Sequence, residues 1–328
     1  TRPGSVPSRS DTVLVTSYGF NSAGGLSDVT DSKGLLGKTY YDNAGRTTKT
    51  IENYVNGTVS DTDDKTVEYT YQANDQMKTL KAYLTSSTSE TTEWILGITS
   101  PLASNDILKE MRYPDASTGE SSSSEKDQYT YNRLGQVVTF TDRNGNVHTY
   151  SYDIVGRITS DAITTLGSGV DGAVRRIETA YDTQGNAYLF TSYNAASGGS
   201  IVNQVQREFN GLGQLITEWQ ATNGAVNTST SPKVQYAYSF TTGGSMNHSR
   251  LTSITYPNGR VIAYNYASGL GSDISRLTSI SDGGTTLESY EYLGYGTVVT
   301  RGHPQTGVDL TYVKLTGESD GAAGDKYN

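Results

Sequence analysis

Tyr131 to Arg157 reads YNRLGQVVTFTDRNGNVHTYSYDIVGR and contains one pattern twice, at Tyr131-Asn132-Arg133-Leu134-Gly135-Gln136 and at Tyr152-Asp153-Ile154-Val155-Gly156-Arg157. The order is an aromatic, a short turn-forming side chain, two variable residues, glycine and a long polar residue. Asn or Asp can bond its own backbone two residues on, and glycine accepts the positive φ that closes a three- or four-residue hairpin loop with a bulge. A strand is expected to restart at Gln136 and at Arg157. Between the copies, Asp142-Arg143-Asn144-Gly145 supplies a second turn, flanked by strand-type residues at Val137 to Thr141 and Asn146 to Tyr152. One period is thus a β-hairpin with its link onward, and the expected fold class is all-β.

The pattern recurs along the chain at irregular spacing. Tyr41-Asp42-Asn43-Ala44-Gly45-Arg46 and Tyr181-Asp182-Thr183-Gln184-Gly185-Asn186 are full copies, and Phe209 to Gln214 is another with Phe in the aromatic place. Phe20 to Gly25 is a weak copy, Tyr71 to Gln76 has lost its glycine, and Tyr256-Pro257-Asn258-Gly259-Arg260 reads as shortened by one residue. Tyr266 and Tyr292 head two Gly-rich variants. Residues 1–17, with Pro3 and Pro7, form a lead-in, and 18–328 form the repeat array, with no linker marking a boundary. The largest interruption, 84–127, reads as an insertion in which Asp106 to Met111 could make a short helical turn and Ser117 to Lys126 a mobile Ser-rich stretch. Such insertions in repeat architectures tend to collect on particular edges, often functional ones. No initiator Met opens the chain, and Tyr327-Asn328 would begin another copy, so the sequence is expected to be an internal fragment of a longer protein.

Composition supports broad, partly wet sheets rather than thick apolar layers. Only 34% of the 328 residues are hydrophobic, and 25 Tyr stand against 5 Phe, a strand-forming aromatic with a polar tip. The 36 glycines fit many turns. A formal charge of −9 with no Lys/Arg stripe argues against nucleic acid and against an anionic membrane surface. Cysteine is absent, which excludes disulfides and thiolate zinc sites. No apolar run approaches the roughly 20 residues that cross a bilayer as a helix.

The copies at 41–46 and 152–157, with the run Asp142-Arg143-Asn144-Gly145-Asn146-Val147 and Thr149-Tyr150 before Tyr152-Asp153, resemble the YD repeat of RHS proteins. That family includes bacterial RHS and wall-associated proteins, the C components of Tc toxins and the teneurins. The resemblance spans about residues 18–328. It implies antiparallel hairpins in a spiralling β-strip or part of a hollow β-shell, which encloses a toxic polypeptide in toxin members and forms part of an adhesion ectodomain in teneurins. The aspartyl self-cleavage core that follows the repeats in toxin members has no counterpart in this sequence.

Motifs of chemistry are scarce. His148, His248 and His303 form no metal-binding pair, and His148 alternates with Tyr150 and Tyr152 as a sheet-face side chain would. No nucleophile elbow or Walker loop is present, and Gly198-Gly199, Gly243-Gly244 and Gly283-Gly284 read as turns. Asp28 with Asp31, Asp61 to Asp64 and Asp142 with Asn144 could offer oxygen to calcium, yet none completes a binding loop. No catalytic residue, cofactor or metal is therefore assigned. The candidate residues are those of the repeat: Tyr41, Asp42, Gly45, Arg46, Tyr131, Asn132, Gly135, Tyr152, Asp153, Gly156, Arg157, Tyr181, Asp182 and Gly185. The tyrosines are expected to stack on adjacent strands, the glycines to take positive φ, and Arg46 and Arg157 to bond Asp42 and Asp153.

The function this supports is a non-catalytic scaffold of a large secreted or cell-surface protein, bacterial in origin, that encloses or presents another polypeptide. A surface adhesion module binding glycan or protein through exposed tyrosines is the alternative. Expected partners are other segments of the same longer chain, including a C-terminal cargo, or a second copy pairing through open sheet edges.

Overall fold

The structure, a computed structural model, describes residues 14–55, 64–240 and 249–312. The regular elements are strands, apart from one four-residue helix, α1 (Leu270–Asp273). The chain divides into two compact units at Asp171/Gly172, a division that the repeat pattern does not announce. The expectations placed on residues 1–13, Asp61 to Asp63, Gly243-Gly244, His248 and 313–328 lie outside the described residues.

The first unit carries β1 (Ser17–Phe20), β2 (Leu26–Thr30), β3 (Leu36–Tyr41), β4 (Thr47–Glu52), β5 (Lys65–Tyr71), β6 (Met77–Tyr83), β7 (Ser89–Ile98), β8 (Ser104–Pro114), β9 (Ser121–Tyr131), β10 (Val137–Thr141), β11 (Val147–Tyr152) and β12 (Ile158–Thr165). Each pairs antiparallel with its sequence neighbour. The second unit carries β13 (Arg176–Tyr181), β14 (Ala187–Tyr193), β15 (Ile201–Phe209), β16 (Leu215–Ala221), β17 (Lys233–Phe240), β18 (Ser249–Thr255), β19 (Val261–Tyr266), β20 (Leu277–Asp282), β21 (Thr285–Leu293), β22 (Thr297–His303) and β23 (Val308–Thr311). They too form an unbroken antiparallel meander. The all-β hairpin array is thus the observed architecture of both units.

Two expectations for 84–127 are overturned. Asp106 to Met111 is not a helical turn but part of β8. Ile107, Leu108 and Met111 have helical spacing, yet pairing sends Met111 to Trp94 on one face and Glu110 and Arg112 to ion partners on the other, so a period of two wins. The Ser-rich stretch is ordered from Ser121 onward in β9, where Ser121 Oγ donates to Glu93 and Arg112 pairs with Lys126. Backbone pairing with β8 supplies the order that serine propensity does not.

Because successive residues alternate faces, the pairings sort each unit into two unlike surfaces. In the first, one face carries the cross-strand pairs Tyr69 with Leu80, Trp94 with Met111, and Tyr129 with Phe140. The other carries Lys49 with Glu68, Arg112 with Lys126, and Thr130 with Thr139, whose hydroxyls bond at 2.6 Å. The second unit repeats the division. Phe190 meets Val205, Tyr236 meets Ile254 and Tyr264 meets Ile280 on one face, while Thr191 meets Gln204 and Thr217 meets Gln235 on the other. The polar face is the crowded one: Thr66, Thr91, Glu110, Thr191, Gln204 and Thr217 are buried. Only Ile51, Ala162, Trp219, Ala221 and Ile262 among the described apolar residues are buried, so the aromatic rows stay half-exposed. Sheets ordinarily bury one face against a second layer. Among the described residues, no such layer covers the aromatic rows of either unit.

Candidate functional site

The repeated turn is built from its second residue outward. In the 41–46 copy the Asp42 N–H donates to the Arg46 carbonyl at 2.9 Å and the Gly45 N–H to the Asp42 carbonyl at 3.0 Å. Asp42 Oδ1 accepts from the N–H groups of Ala44 and Arg46, and Arg46 Nε donates to Oδ2 at 2.7 Å. The Asp153 copy repeats this with Val155 and Arg157, and the Asp182 copy with Gln184 and Asn186. Gly45, Gly135, Gly156 and Gly185 have φ of 80°, 79°, 89° and 93°, the left-handed region that the closing position requires. In the copy without glycine, Asp75 takes that place with φ 66°.

A donor and acceptor code links the second and sixth positions. Asp42, Asp153, Asp182 and Asp142 leave one carboxylate oxygen free of the backbone, and each faces a donor on Arg46, Arg157, Asn186 or Asn146. Asn132 and Asn210 instead present an NH2 group, and each faces the Oε1 of Gln136 or Gln214, at 2.7 and 2.9 Å. The side-chain oxygen is used up by the backbone, so the remaining atom dictates the partner. The carboxyls sit below their usual range. The bond from Arg46 is the main cause at Asp42 and that from Asn186 at Asp182, while at Asp153 burial pushes the other way and Arg157 outweighs it.

The tyrosine at the first position does something the sequence reading missed. Tyr41 Oη donates to the Leu26 carbonyl, Tyr71 to Thr47, Tyr131 to Leu108, Tyr152 to Val137, Tyr266 to Leu251 and Tyr292 to Leu277, and Tyr238 in β17, which heads none of the copies named above, does the same to Leu215, all at 2.5–3.0 Å. The acceptor is always one position beyond the tyrosine's own register on the preceding strand; Thr139 opposite Thr149, for instance, places Val137 opposite Ser151. A β-bulge falls at the motif aromatic in most copies, between Tyr40 and Tyr41, Thr70 and Tyr71, Ser151 and Tyr152, and Ala180 and Tyr181. The acceptor commonly opens the strand that follows the previous tyrosine-headed turn, as Thr47 does after 42–46 and Val137 after 132–136. Turns 42–46 and 132–136 thereby place the carbonyls on which Tyr71 and Tyr152 lock.

The expected stacking of motif tyrosines on one another is therefore corrected for Tyr41, Tyr131 and Tyr152. Their hydroxyls are bound to backbone carbonyls. Among the described residues the aromatic pairs join non-motif rings, Tyr129 with Phe140 at 5.1 Å, Phe140 with His148 at 5.9 Å and His148 with Tyr150 at 6.2 Å. Cations cover several rings instead: Arg46 lies over Tyr71, Arg250 over Tyr266, Arg276 over Tyr292 and Arg176 over Tyr193, at 4.0–5.4 Å. The surplus of Tyr over Phe was the signal for these locks.

Tyr256 to Arg260 is also corrected. Tyr256 N–H donates to the Arg260 carbonyl and Gly259 N–H to the Tyr256 carbonyl, so the turn has full length with Tyr256 in the Asp position. The missing member is the aromatic, replaced by Thr255. Thr30 before Asp31 and Thr141 before Asp142 head the same turn. His148 lies on the sheet face in β11, with Nδ1 2.8 Å from Asp161 Oδ1. Among the described residues no three His, Asp or Glu side chains gather as a metal site; Asp142 spends its oxygens on Asn146 and Asp28 binds Lys38 at 2.7 Å.

Residues 131–168 match the family model described as RHS Repeat. No curated protein matches. Among solved structures, a crystal structure of TcdB2-TccC3-Cdc42 is 14% identical over 90% of this chain with a TM-score of 0.40. A Photorhabdus luminescens Tc holotoxin pore with a TccC3 point mutation is 14% identical over 90%, with a TM-score of 0.27. A TcdB2-TccC3 crystal structure is also 14% identical over 90%, with a TM-score of 0.26. This chain spans 18–19% of the length of those chains.

Proposed function

We propose that this chain, whose residues 131–168 match the RHS Repeat family model, is a structural repeat scaffold that encloses or presents another polypeptide of a larger bacterial protein, secreted or displayed at the cell surface. The observation that carries the reading is the two-faced sheet. Each unit is a latched ladder whose small polar residues are buried while its aromatic rows lie half-open, which is the surface a second polypeptide layer would cover. The turns spend their polar groups on their own geometry, which favours a role in architecture over catalysis. No helix among the described residues is long and apolar enough to cross a membrane. The outer edge of β1 pairs with nothing beyond β2 among the described residues, and a strand from the same longer polypeptide or a second copy would add there.

The test is limited proteolysis of the intact natural protein across a denaturant series. A segment outside the array should resist cleavage while the array is folded and become cleavable in the same denaturant range in which the array melts. A segment cut freely beside a folded array would sink the proposal. Glycan binding that disappears on replacing exposed tyrosines would favour adhesion instead.

A further inference from the structure

Several aromatic rings of this protein are covered by its own cations, and one cluster of four is not. Lys38, Arg46, Lys81, Arg143, Arg176, Arg207, Arg250 and Arg276 each lie 4.0–5.7 Å from the centre of a Tyr or Phe ring. Tyr129, Phe140, Tyr150 and Tyr152, with Val137 and Ile158, instead line an open cleft of about 340 Å³ on the aromatic face of the first unit. Among the described residues no Lys or Arg covers any of these four rings. The volume holds a quaternary ammonium head group with room to spare.

The charge around the cleft completes the argument. Asp161 stands opposite Tyr150 across β11 and β12, and Asp127 lies two residues before Tyr129 on β9. Each carboxylate is bonded to an aromatic side chain, Asp161 to His148 Nδ1 at 2.8 Å and Asp127 to the Tyr113 hydroxyl at 2.8 Å. Arg143, over Tyr113 at 4.7 Å, is the cation on the Asp127 side. Both carboxylates are felt in the cleft. Burial pushes the Tyr129 and Tyr150 hydroxyls up, and the negative charge of Asp127 adds at Tyr129 and that of Asp161 at Tyr150. Electron-rich ring faces, apolar walls from Val137 and Ile158, and two carboxylates on neighbouring positions whose charge reaches the rings are the elements of an aromatic cage for an organic cation.

We propose that the Tyr129, Phe140, Tyr150 and Tyr152 cleft is a binding site for an alkylammonium group. It takes the place that an arginine or lysine occupies over other rings of the chain. The group can arrive as a free small amine or as a lysine side chain of a polypeptide lying on the aromatic face, and the chemistry of capture is the same.

The test is NMR titration of the purified chain with tetramethylammonium, choline, and N-acetyl-lysine amide, using 3,3-dimethylbutanol as the uncharged isostere of choline. Expected is saturable binding of the cations with Kd on the order of millimolar, shifts confined to the resonances of the four rings, and no saturation by the neutral isostere. Preference for lysine amide over choline assigns the site to a polypeptide side chain, and the reverse to a free amine. Phe140→Leu and Tyr150→Leu should each weaken binding at least tenfold, Tyr150→Phe should keep it, and Asp161→Asn should weaken it severalfold. Should Phe140→Leu unfold the unit, Tyr150→Phe and Asp161→Asn still decide, because both retain the packing. Equal binding of the isostere, absence of cation binding, or cation affinity indifferent to Asp161→Asn would each overturn the proposal.

Discussion

If the tyrosine hydroxyl is what locks one hairpin to the next, its removal and its insertion should have opposite, similar effects. Tyr152→Phe deletes the 2.6 Å bond to the Val137 carbonyl and leaves the ring in place. Val137 is half-exposed, so water can reach the carbonyl in the variant and the loss is the net value of one hydrogen bond, about 1 kcal/mol. For a unit ending at Asp171, that lowers the melting temperature by about 2–4 °C. Phe209 is the reverse experiment already present in the chain. Leu189 pairs with Gln206, which puts Ala187 opposite Glu208 and makes the Ala187 carbonyl the acceptor one position beyond Phe209's register. Phe209→Tyr should therefore complete a lock in the second unit and raise its melting temperature by a comparable amount. Differential scanning calorimetry of both variants beside the parent gives the numbers. A parent-like Tyr152→Phe together with a neutral or destabilised Phe209→Tyr would refute the lock.

Three further outcomes are expected. Asp153→Asn sets an NH2 group against Arg157 and should destabilise, while Asp153→Asn with Arg157→Gln recreates the Asn132 and Gln136 arrangement and should recover most of the loss in urea midpoint; no recovery would contradict the donor and acceptor code. Gly156→Val forces a β-branched residue to φ 89° at a cost of on the order of 1–2 kcal/mol or more, and should lower the unfolding midpoint further than Arg157→Ala, whose guanidinium makes a partly exposed pair; comparable midpoints would count against the turn assignment. Tyr113 is pushed up to about 12, first by burial and then by its bond to Asp127. The fold favours its neutral form, so this stabilisation is complete below the ordinary value of 10.0 and fades as pH rises toward 12. Tyr113→Phe should remove one late-ionising phenol from the ultraviolet titration, and an unaltered alkaline limb would exclude that assignment.

The hairpin array and its turns were legible because they rest on local chemistry. Asp42 bonds its own neighbours, Gly45 needs positive φ, and both requirements are satisfied within five residues. Where the reading failed, the cause was non-local. Asp106 to Met111 has a helical spacing of apolar residues, and only the partners on β7 and β9 reveal its period of two. The tyrosine locks join residues 15 to 24 positions apart, as from Tyr152 to Val137 and from Tyr71 to Thr47, and no turn rule reaches that far. What the sequence did carry was composition. Phenylalanine would fill the same space, so 25 Tyr against 5 Phe already implied that hydroxyls were being used. The cleft at Tyr129, Phe140 and Tyr150 was hidden for the same reason as the locks: its members are neighbours only across β9, β10 and β11.

The meander also separates constancy from variation. Successive connections in an antiparallel ladder alternate between the two ends of the strands, so each unit has one end and its opposite. Turns 21–25, 42–46, 72–76, 132–136 and 153–157 all fall at one end of the first unit, and 182–186 and 210–214 at one end of the second; each of these is headed by Tyr or Phe. At the opposite end the connections run from the five-residue turns 31–35 and 142–146, headed by Thr30 and Thr141, through 84–88 and 115–120 in the first unit to 194–200 and 222–232 in the second. In the first unit the turns at the locked end are all five residues long, whereas in the second unit the locked Tyr266 heads the longer connection 267–276, which carries α1. A lock fixes the register of its own strand pair and not the length of the connection beyond it, and the polar groups of a loop such as 222–232, where the Trp219 indole N–H reaches the Thr228 carbonyl, are where specificity can change without unlocking the ladder.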